Sequence, residues 1–374
     1  MEKIHVLVLD TVMDRGGAEA MIMNYMRHID RDKIQIDFMV NRQYRGAYED
    51  EIESLGGKVY RMSPMYPGKF HKYKKEFREF LEKHPEYKII HSNLEERSYL
   101  PLKVAKKMGV KVRISHAHNR PLGFNLKTPF RWYFRFMLKF YNTHMFACGN
   151  EAACWLYGKK NLKNVTIMNN AIDTEDYKYD LEKSRRMKEK LNVSDKLVIG
   201  HVGRFFQQKN HMFLIDIFNE IAKIRKDAVL LLVGGGELND ELKNKVKDKV
   251  ENLGLSDKVK FLGVRSDVAD ILQAFDVFLL PSLFEGLPVT MVEAQSAGLP
   301  CVISDKVPIQ CDITGNVLVK NLEDSPEEWA KSVIEYTENF KRKDTTMLIK
   351  EHGFDIRKNA EWLEKCYTDM YNSY

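Results

Sequence analysis

The sequence predicts an α/β protein made of two doubly wound parallel-sheet domains, and three observations predict it. Short β-branched runs alternate with amphipathic stretches along the chain, the pattern of a parallel sheet wrapped by helices. The alternation pauses once, in a charged, helix-like stretch near residues 181–191, and then restarts. The chain has 374 residues, more than one core ordinarily holds when domains average about 150 residues. A boundary near residue 175 follows, with domains at 1–174 and 175–355.

In the first domain the strands are read at "IHVLVLD", "QIDFMVN", "KVYRMS", "YKIIHSN", "VRISHAHN" and "HMFACGN". After "VTIMNNAIDTEDY" the second set is "LVIGHVG", "AVLLLVGGG", "VKFLGV", "DVFLLPS" and "CVISD". The terminal segment 356–374 carries Trp362, Leu363, Cys366, Tyr367 and Tyr371 at near-helical spacing, so a helix that packs back on the first domain is expected. Two such domains would face each other across a cleft at the carboxyl ends of their strands, where open α/β sheets bind ligands.

Composition narrows the class. With 44% hydrophobic and 30% charged residues the chain suits a soluble globular protein and not a disordered one. No window approaches the roughly 18 apolar residues of a membrane span, and "MEKIHVLVLD" reads as a first buried strand and not a signal peptide. Five cysteines without CxxC or metal-ligand spacing suit a reducing cytoplasm. The net charge of +6 is unevenly spread, because residues 58–144 hold 20 Lys/Arg against 6 Asp/Glu and the remainder is net acidic.

Several motifs fall at strand ends. In "LFEGLPVTMVEAQSAGLP", Pro288 suits the first turn of a helix whose N-terminus would favour a diphosphate. Glu293 is expected about two turns into that helix, with Glu285 in the loop before it. A capped surface helix with two solvated glutamates is the plainer alternative. "GHVGRFFQQKNH" sets Arg204 and Lys209 after a strand, with Gly203 allowing close backbone approach, which suits a cationic cradle for a diphosphate leaving group. Gly16-Gly17 opens the first helix, where a backbone approaches phosphate or sugar. Neither G-x-G-x-x-G nor a Walker A sequence is present there, which disfavours dinucleotide and ATP binding.

Taken in order, "RGGAE", "SHAHN", "NNAID", "VGRFFQQKN", "LVGGGEL", "VKFLGVRSDV" and the E-x7-E element at 285–293 give the chain a resemblance to the retaining glycosyltransferases of family 4, the glycosyl transferases group 1 type. Those enzymes have the GT-B fold, and the similarity is greatest to the builders of capsular and exopolysaccharide repeat units. The resemblance implies an N-terminal acceptor domain and a C-terminal donor domain. It implies that Glu293 holds the ribose hydroxyls, that Glu285 and the following Gly286 and Leu287 lie near the donor sugar, and that Arg204 and Lys209 meet the diphosphate. Gly17, beside Gly16, would approach donor and acceptor, and backbone groups from Gly263 to Arg265 would read the base. His118 would help position the reacting centre through its main-chain carbonyl or ring, while His116 is expected on the opposite face, as a core or surface histidine. Asn119 and Ala171 depart from the commoner Asp and Gly of relatives.

The implied donor is a UDP-sugar and the implied route is front-face attack with retention, without a cofactor or metal. The only D-x-D, Asp30-Arg31-Asp32, is read as a solvated turn. For residues 128–141, "TPFRWYFRFMLKFY", two readings stand: a packing helix with its aromatic side on the sheet, or an interfacial helix touching anionic lipid. The second would place the enzyme peripherally on the cytoplasmic membrane face, with a polyprenyl-diphosphate-linked saccharide as acceptor. The alternatives are another GT-B enzyme, an epimerase or phosphorylase, or a protein binding nucleic acid or polysaccharide; no nucleic-acid motif supports the last.

Overall fold

The computed structural model describes residues 3–119, 128–236 and 240–374. It divides into two compact units, residues 1–171 with 355–374, and residues 172–354.

The first unit holds a seven-stranded parallel sheet: β1 (Ile4–Asp10), β2 (Ile34–Val40), β3 (Val59–Arg61), β4 (Tyr87–Ser92), β5 (Val112–Ala117), β6 (His144–Ala147) and β7 (Val165–Ile167). Their spatial order is β3-β2-β1-β4-β5-β6-β7. Parallel strands joined by helical crossovers are covered on both faces, so they need near-continuous apolar runs. β1 supplies one, and β5 is buried along its whole length. One face packs with Leu7, Leu9, Ile90 and Phe77, the other with Val6, Val8, Ile36 and Phe146. The helix Ile356–Asn372 belongs to this unit: Tyr367 is buried and its hydroxyl lies 2.7 Å from His91 Nδ1.

The second unit has six parallel strands, β8 (Leu197–Val202), β9 (Ala228–Val233), β10 (Val259–Gly263), β11 (Val277–Leu280), β12 (Cys301–Ser304) and β13 (Val317–Lys320), ordered β10-β9-β8-β11-β12-β13. β8 and β9 are fully buried. Close packing also dictates Gly200, where a Cβ would fall 1.8 Å from the Phe275 ring.

In both sheets the first strand of the unit sits in the middle and the order reverses beside it, at β1/β4 and at β8/β11. Such reversals splay successive loops apart, and ligands bind at the carboxyl ends there. Asp30 and Asp32 lie at the other end of the sheet, before β2, where Asp30 pairs with Lys33 at 2.8 Å and Asp32 is exposed. No helix among the described residues is long and apolar enough to cross a membrane.

Candidate active site

The second unit gathers cations at its strand reversal. Past β8 the backbone runs through Gly203 and Arg204 into a short 3-10 turn, Gln207–Lys209, and then into the helix His211–Ile224. Asn210, in the left-handed region with φ of 55°, makes the corner, and its side-chain amide donates to Pro281 O at 3.1 Å. Leu283 N donates to Gln208 O at 2.8 Å, so the loops after β8 and β11 are stitched together.

Lys209 and Glu285 meet at this seam. Lys209 Nζ lies 2.6 Å from Glu285 Oε1, with only 15% of the lysine and 5% of the glutamate side chain exposed. Ser282 Oγ also donates to Oε1, at 2.8 Å, and Gln208 Nε2 donates to Oε2 at 2.9 Å. Glu285 is therefore not a solvated loop acid. A carboxylate has about four acceptor positions, and with three used, one remains on Oε2. Gly203 leaves room for the lysine stem, since a Cβ would come within 3.2 Å of Lys209 Cδ and Cε. Beneath lie His201 and His211, which the sequence reading quoted without using. Burial depresses them to about 4 and about 2, so both are neutral and add no charge beside Lys209.

Arg204 is exposed, with its guanidinium 4.5 Å from the centre of the Phe206 ring, and no carboxylate among the described residues lies within ion-pair distance of it. Across the neighbouring loops, Gly203 N donates to Val233 O and Gly234 N to Gly263 O, at 2.9 and 2.8 Å. Gly234 has φ of 146°, and a Cβ there would fall 2.0 Å from Gly203 O, so this loop contact requires glycine. Glu237 and Leu238 of the "LVGGGEL" motif lie outside the described residues. Arg265 is committed to Asp267 by a two-pronged contact at 2.7 and 2.6 Å.

The helix after β11 is Val289–Ser296, with Pro288 as its N-cap and not in its first turn. Glu293 is consequently the fifth helical residue, about one turn in and not two. The shift by one position follows from Pro288, whose ψ of 120° keeps it extended. Glu293 Oε1 accepts from Tyr177 Oη at 2.9 Å. Burial raises this carboxyl to about 7, with the tyrosine bond pulling the other way. Gly286 is exposed and Leu287 packs partly against the core.

The first unit gathers acids and neutral histidines at its reversal. Asp10 ends β1, and burial, aided by the charge of Glu19, holds its carboxyl well above the usual range. Asn93, past β4, donates from Nδ2 to Asp10 Oδ2 at 3.4 Å and faces His118 Nε2 at 3.0 Å through Oδ1. Since Asn Oδ1 only accepts, Nε2 carries the proton and Nδ1 is left with a lone pair. Burial keeps His118 neutral, at about 4. The carbonyl of His118 accepts from Cys148 Sγ at 3.3 Å.

His116 does not point to the opposite face. Its ring centre is 4.1 Å from that of His118 and its Nδ1 is 3.0 Å from His91 Nε2. Residues two apart along a strand lie on the same face, so the two rings fall together at the end of β5. At the first helix, Gly17–His28, the Glu19 carboxylate lies where a Cβ on Gly16 would go, 2.2 Å away, whereas Gly17 faces open space.

Glu95 escaped the sequence reading. It sits just after β4 with φ of 52°, and its Oε1 accepts from the backbone N–H groups of His118 and Asn119 at 2.9 and 3.0 Å. Oε2 is buried with no hydrogen-bond partner among the described residues, and burial raises the carboxyl to about 8. A non-glycine residue in the left-handed region costs about 1 kcal/mol or more, and the reward here is a fixed His118 backbone. No local pattern in "SNLEERS" announces this.

The two sheets, each with a reversal beside its first strand, give the α/β architecture of nucleotide-binding folds. The family model for glycosyl transferases group 1 matches residues 182–350. The chain is 32% identical over 97% of its length, and 95% of the relative, to EpsF of Bacillus subtilis (strain 168). It is 27% identical, over 78% of this chain and 77% of the other, to the UDP-Gal:alpha-D-GlcNAc-diphosphoundecaprenol alpha-1,3-galactosyltransferase of Escherichia coli. Its fold matches Anabaena Alr3699/HepE, crystallised with UDP and with UDP-glucose, at TM-scores of 0.79 and 0.77, each with 18% identity, over 98% and 99% of this chain and 100% of that one. The chain belongs to the glycosyl transferases group 1 family; it is a glycosyltransferase of GT-B fold.

Glu95→Ala is expected to free the His118 and Asn119 amides, raising their hydrogen-exchange rates and lowering glycosyl transfer at least tenfold. Glu95→Gln keeps a carbonyl acceptor and should retain most of both. Equal behaviour of the two variants would remove Glu95 from the account.

Proposed function

We propose that the protein transfers a hexose or N-acetylhexosamine, with retention, from a UDP-sugar to a lipid-linked saccharide in the assembly of a cell-surface polysaccharide. The observation that carries this reading is the near-buried Lys209–Glu285 pair beside Arg204, which pairs with no carboxylate among the described residues, at the reversal of the second sheet. Support for the donor comes from the UDP and UDP-glucose complexes of HepE, and for the acceptor from the diphosphoundecaprenol substrate in the name of the E. coli relative.

In this reading Arg204 and Lys209 meet the diphosphate, where they offset charge as the anomeric C–O bond breaks. The acceptor hydroxyl attacks from the face that the diphosphate leaves, and a phosphate oxygen takes its proton, so UDP departs carrying it. Glu285 orients Lys209 and offers its remaining Oε2 position to a sugar hydroxyl. Glu293 accepts from the ribose hydroxyls, and backbone groups from Gly263 to Arg265 meet the base. On the acceptor side, Gly17 and His118 Nδ1 face hydroxyls, and the acids Asp10 and Glu19 suit a polyhydroxyl better than a phosphate. The two cations do the work of a metal, so transfer from UDP-sugars should survive excess EDTA. Activity restored only by added Mn²⁺ or Mg²⁺ would contradict this, and a screen of UDP-, GDP- and ADP-sugars identifies the donor.

Glu293 adds a pH signature. Its carboxyl is raised to about 7, so below that it is protonated and accepts poorly; ribose hydroxyls select the ionised form. UDP binding should strengthen as pH rises from about 6 to about 8, level off above, and release protons. In Glu293→Gln the affinity should be lower and this rise should shrink to that of the nucleotide's own phosphate. An identical pH profile in wild type and variant would place the ribose elsewhere.

A further inference from the structure

Val6, Val8, Ile89, Ile114 and Phe146 make an apolar layer with the helix Ile356–Asn372, and a polar column runs through it. His91 of β4, His116 of β5 and Tyr367 of the helix are each fully buried there. Tyr367 Oη lies 2.7 Å from His91 Nδ1, His91 Nε2 lies 3.0 Å from His116 Nδ1, and the His116 ring lies against that of His118, with centres 4.1 Å apart and planes tilted by 30°. Burial keeps the phenol protonated and the three imidazoles neutral, His91 being depressed to about 3. A neutral imidazole carries one proton, so the bonds along the column all run one way or all run the other. If they run from the helix, Tyr367 donates to His91 Nδ1 and His91 Nε2 donates to His116 Nδ1, which leaves only the N–H at His116 Nε2 without a partner among the described residues. If they run toward the helix, the Tyr367 hydroxyl proton and the His116 Nε2 lone pair both lack one. Unmet buried polar groups are costly, so the first direction is selected, and the Tyr367 hydroxyl selects it.

We propose that Tyr367 is a positioning residue for glycosyl transfer: through His91 and His116 its hydroxyl fixes the plane of the His118 ring and so the direction of the His118 Nδ1 lone pair. Packing does not call for such a column, because apolar side chains at the same places would hold the helix on the sheet without taking polar groups out of water. What the column reaches is His118, whose ring is held at Nε2 by Asn93 and whose backbone is held by Glu95 and Cys148. His116 adds a wall against the ring itself, and that wall cannot turn while its Nδ1 accepts from His91. This role deepens the proposed function and rests on its reading that His118 Nδ1 meets a substrate hydroxyl. Without the Tyr367 hydroxyl, either direction leaves two nitrogens unmet, His91 Nδ1 and His116 Nε2, so the preference between them disappears.

The test is Tyr367→Phe in the full chain, which removes one oxygen and keeps the ring. Nitrogen-15 NMR with labelled histidine reads the tautomers: the wild type is expected to carry its protons on Nε2 of His91, His116 and His118, and the variant to show His91 and His116 as mixtures. In the same variant kcat for transfer from the UDP-sugar to a polyprenyl-diphosphate-linked saccharide is expected to fall about threefold to tenfold, with the UDP affinity unchanged. His116→Phe keeps a flat ring against His118 and cuts the column, so adding Tyr367→Phe to it should cause no further fall in kcat. A loss of stability alone would not produce that pattern. Wild-type tautomers in Tyr367→Phe, mixed tautomers with a wild-type kcat, or an equal further fall in the His116→Phe background would each overturn the proposal. His118→Ala separates it from the reading beneath it. Slow transfer by His118→Ala with a wild-type rate in Tyr367→Phe sinks the positioning role and leaves that reading standing, whereas a wild-type rate in His118→Ala sinks both.

Discussion

The second unit depends on one ion pair, Lys209 with Glu285. It joins the loops of the two strands between which the sheet order reverses, and it is nearly buried. Leaving one member of such a pair alone in the interior costs about 3–5 kcal/mol, so neither residue is replaceable by itself. The pair also sets the local charge. Glu285 offsets Lys209, the neutral His201 and His211 add nothing, and among the described residues no carboxylate pairs with Arg204. Lys209 is held in one place, because Ser282 and Gln208 fix the carboxylate that fixes it. Preorganised charge of this kind needs no rearrangement when charge develops on a leaving group.

The first unit uses the same topology with different side chains. Asp10, Glu19 and Glu95 stand near its strand ends together with imidazoles that burial keeps neutral. Because burial raises the Asp10 and Glu95 carboxyls, this end carries less charge than its acids suggest, and it offers carboxyl groups and the His118 Nδ1 lone pair as hydrogen-bonding groups. The two reversals therefore differ in chemistry, one holding cations and the other carboxyl groups and neutral imidazoles. What distinguishes them is the side chains of a few loop residues, since the backbone plan is shared.

Much of the fold was legible because parallel strands buried on both faces leave unmistakable apolar runs, and "IHVLVLD" and "AVLLLV" are such runs. Residue types at strand ends were legible too, and Lys209 and Glu285 were singled out, though not as partners. Their contact joins positions 76 residues apart, which no local spacing reveals. His116 was sent to the wrong face because residues two apart on a strand share a side, and it lies beside His118. Glu95 was missed because its role lies in a left-handed backbone and two remote amides, features that one sequence does not display.

The central claim is that Glu285 acts largely through Lys209, and a double-mutant cycle tests it most directly. Transfer rate and UDP affinity are measured for wild type, Glu285→Gln, Lys209→Met and the pair together. If the carboxylate works by holding the lysine, the double variant should be no slower than Lys209→Met alone, with a coupling of about 1.5 kcal/mol or more. If the two losses simply add, Glu285 acts on the substrate independently of Lys209 and the claim is wrong.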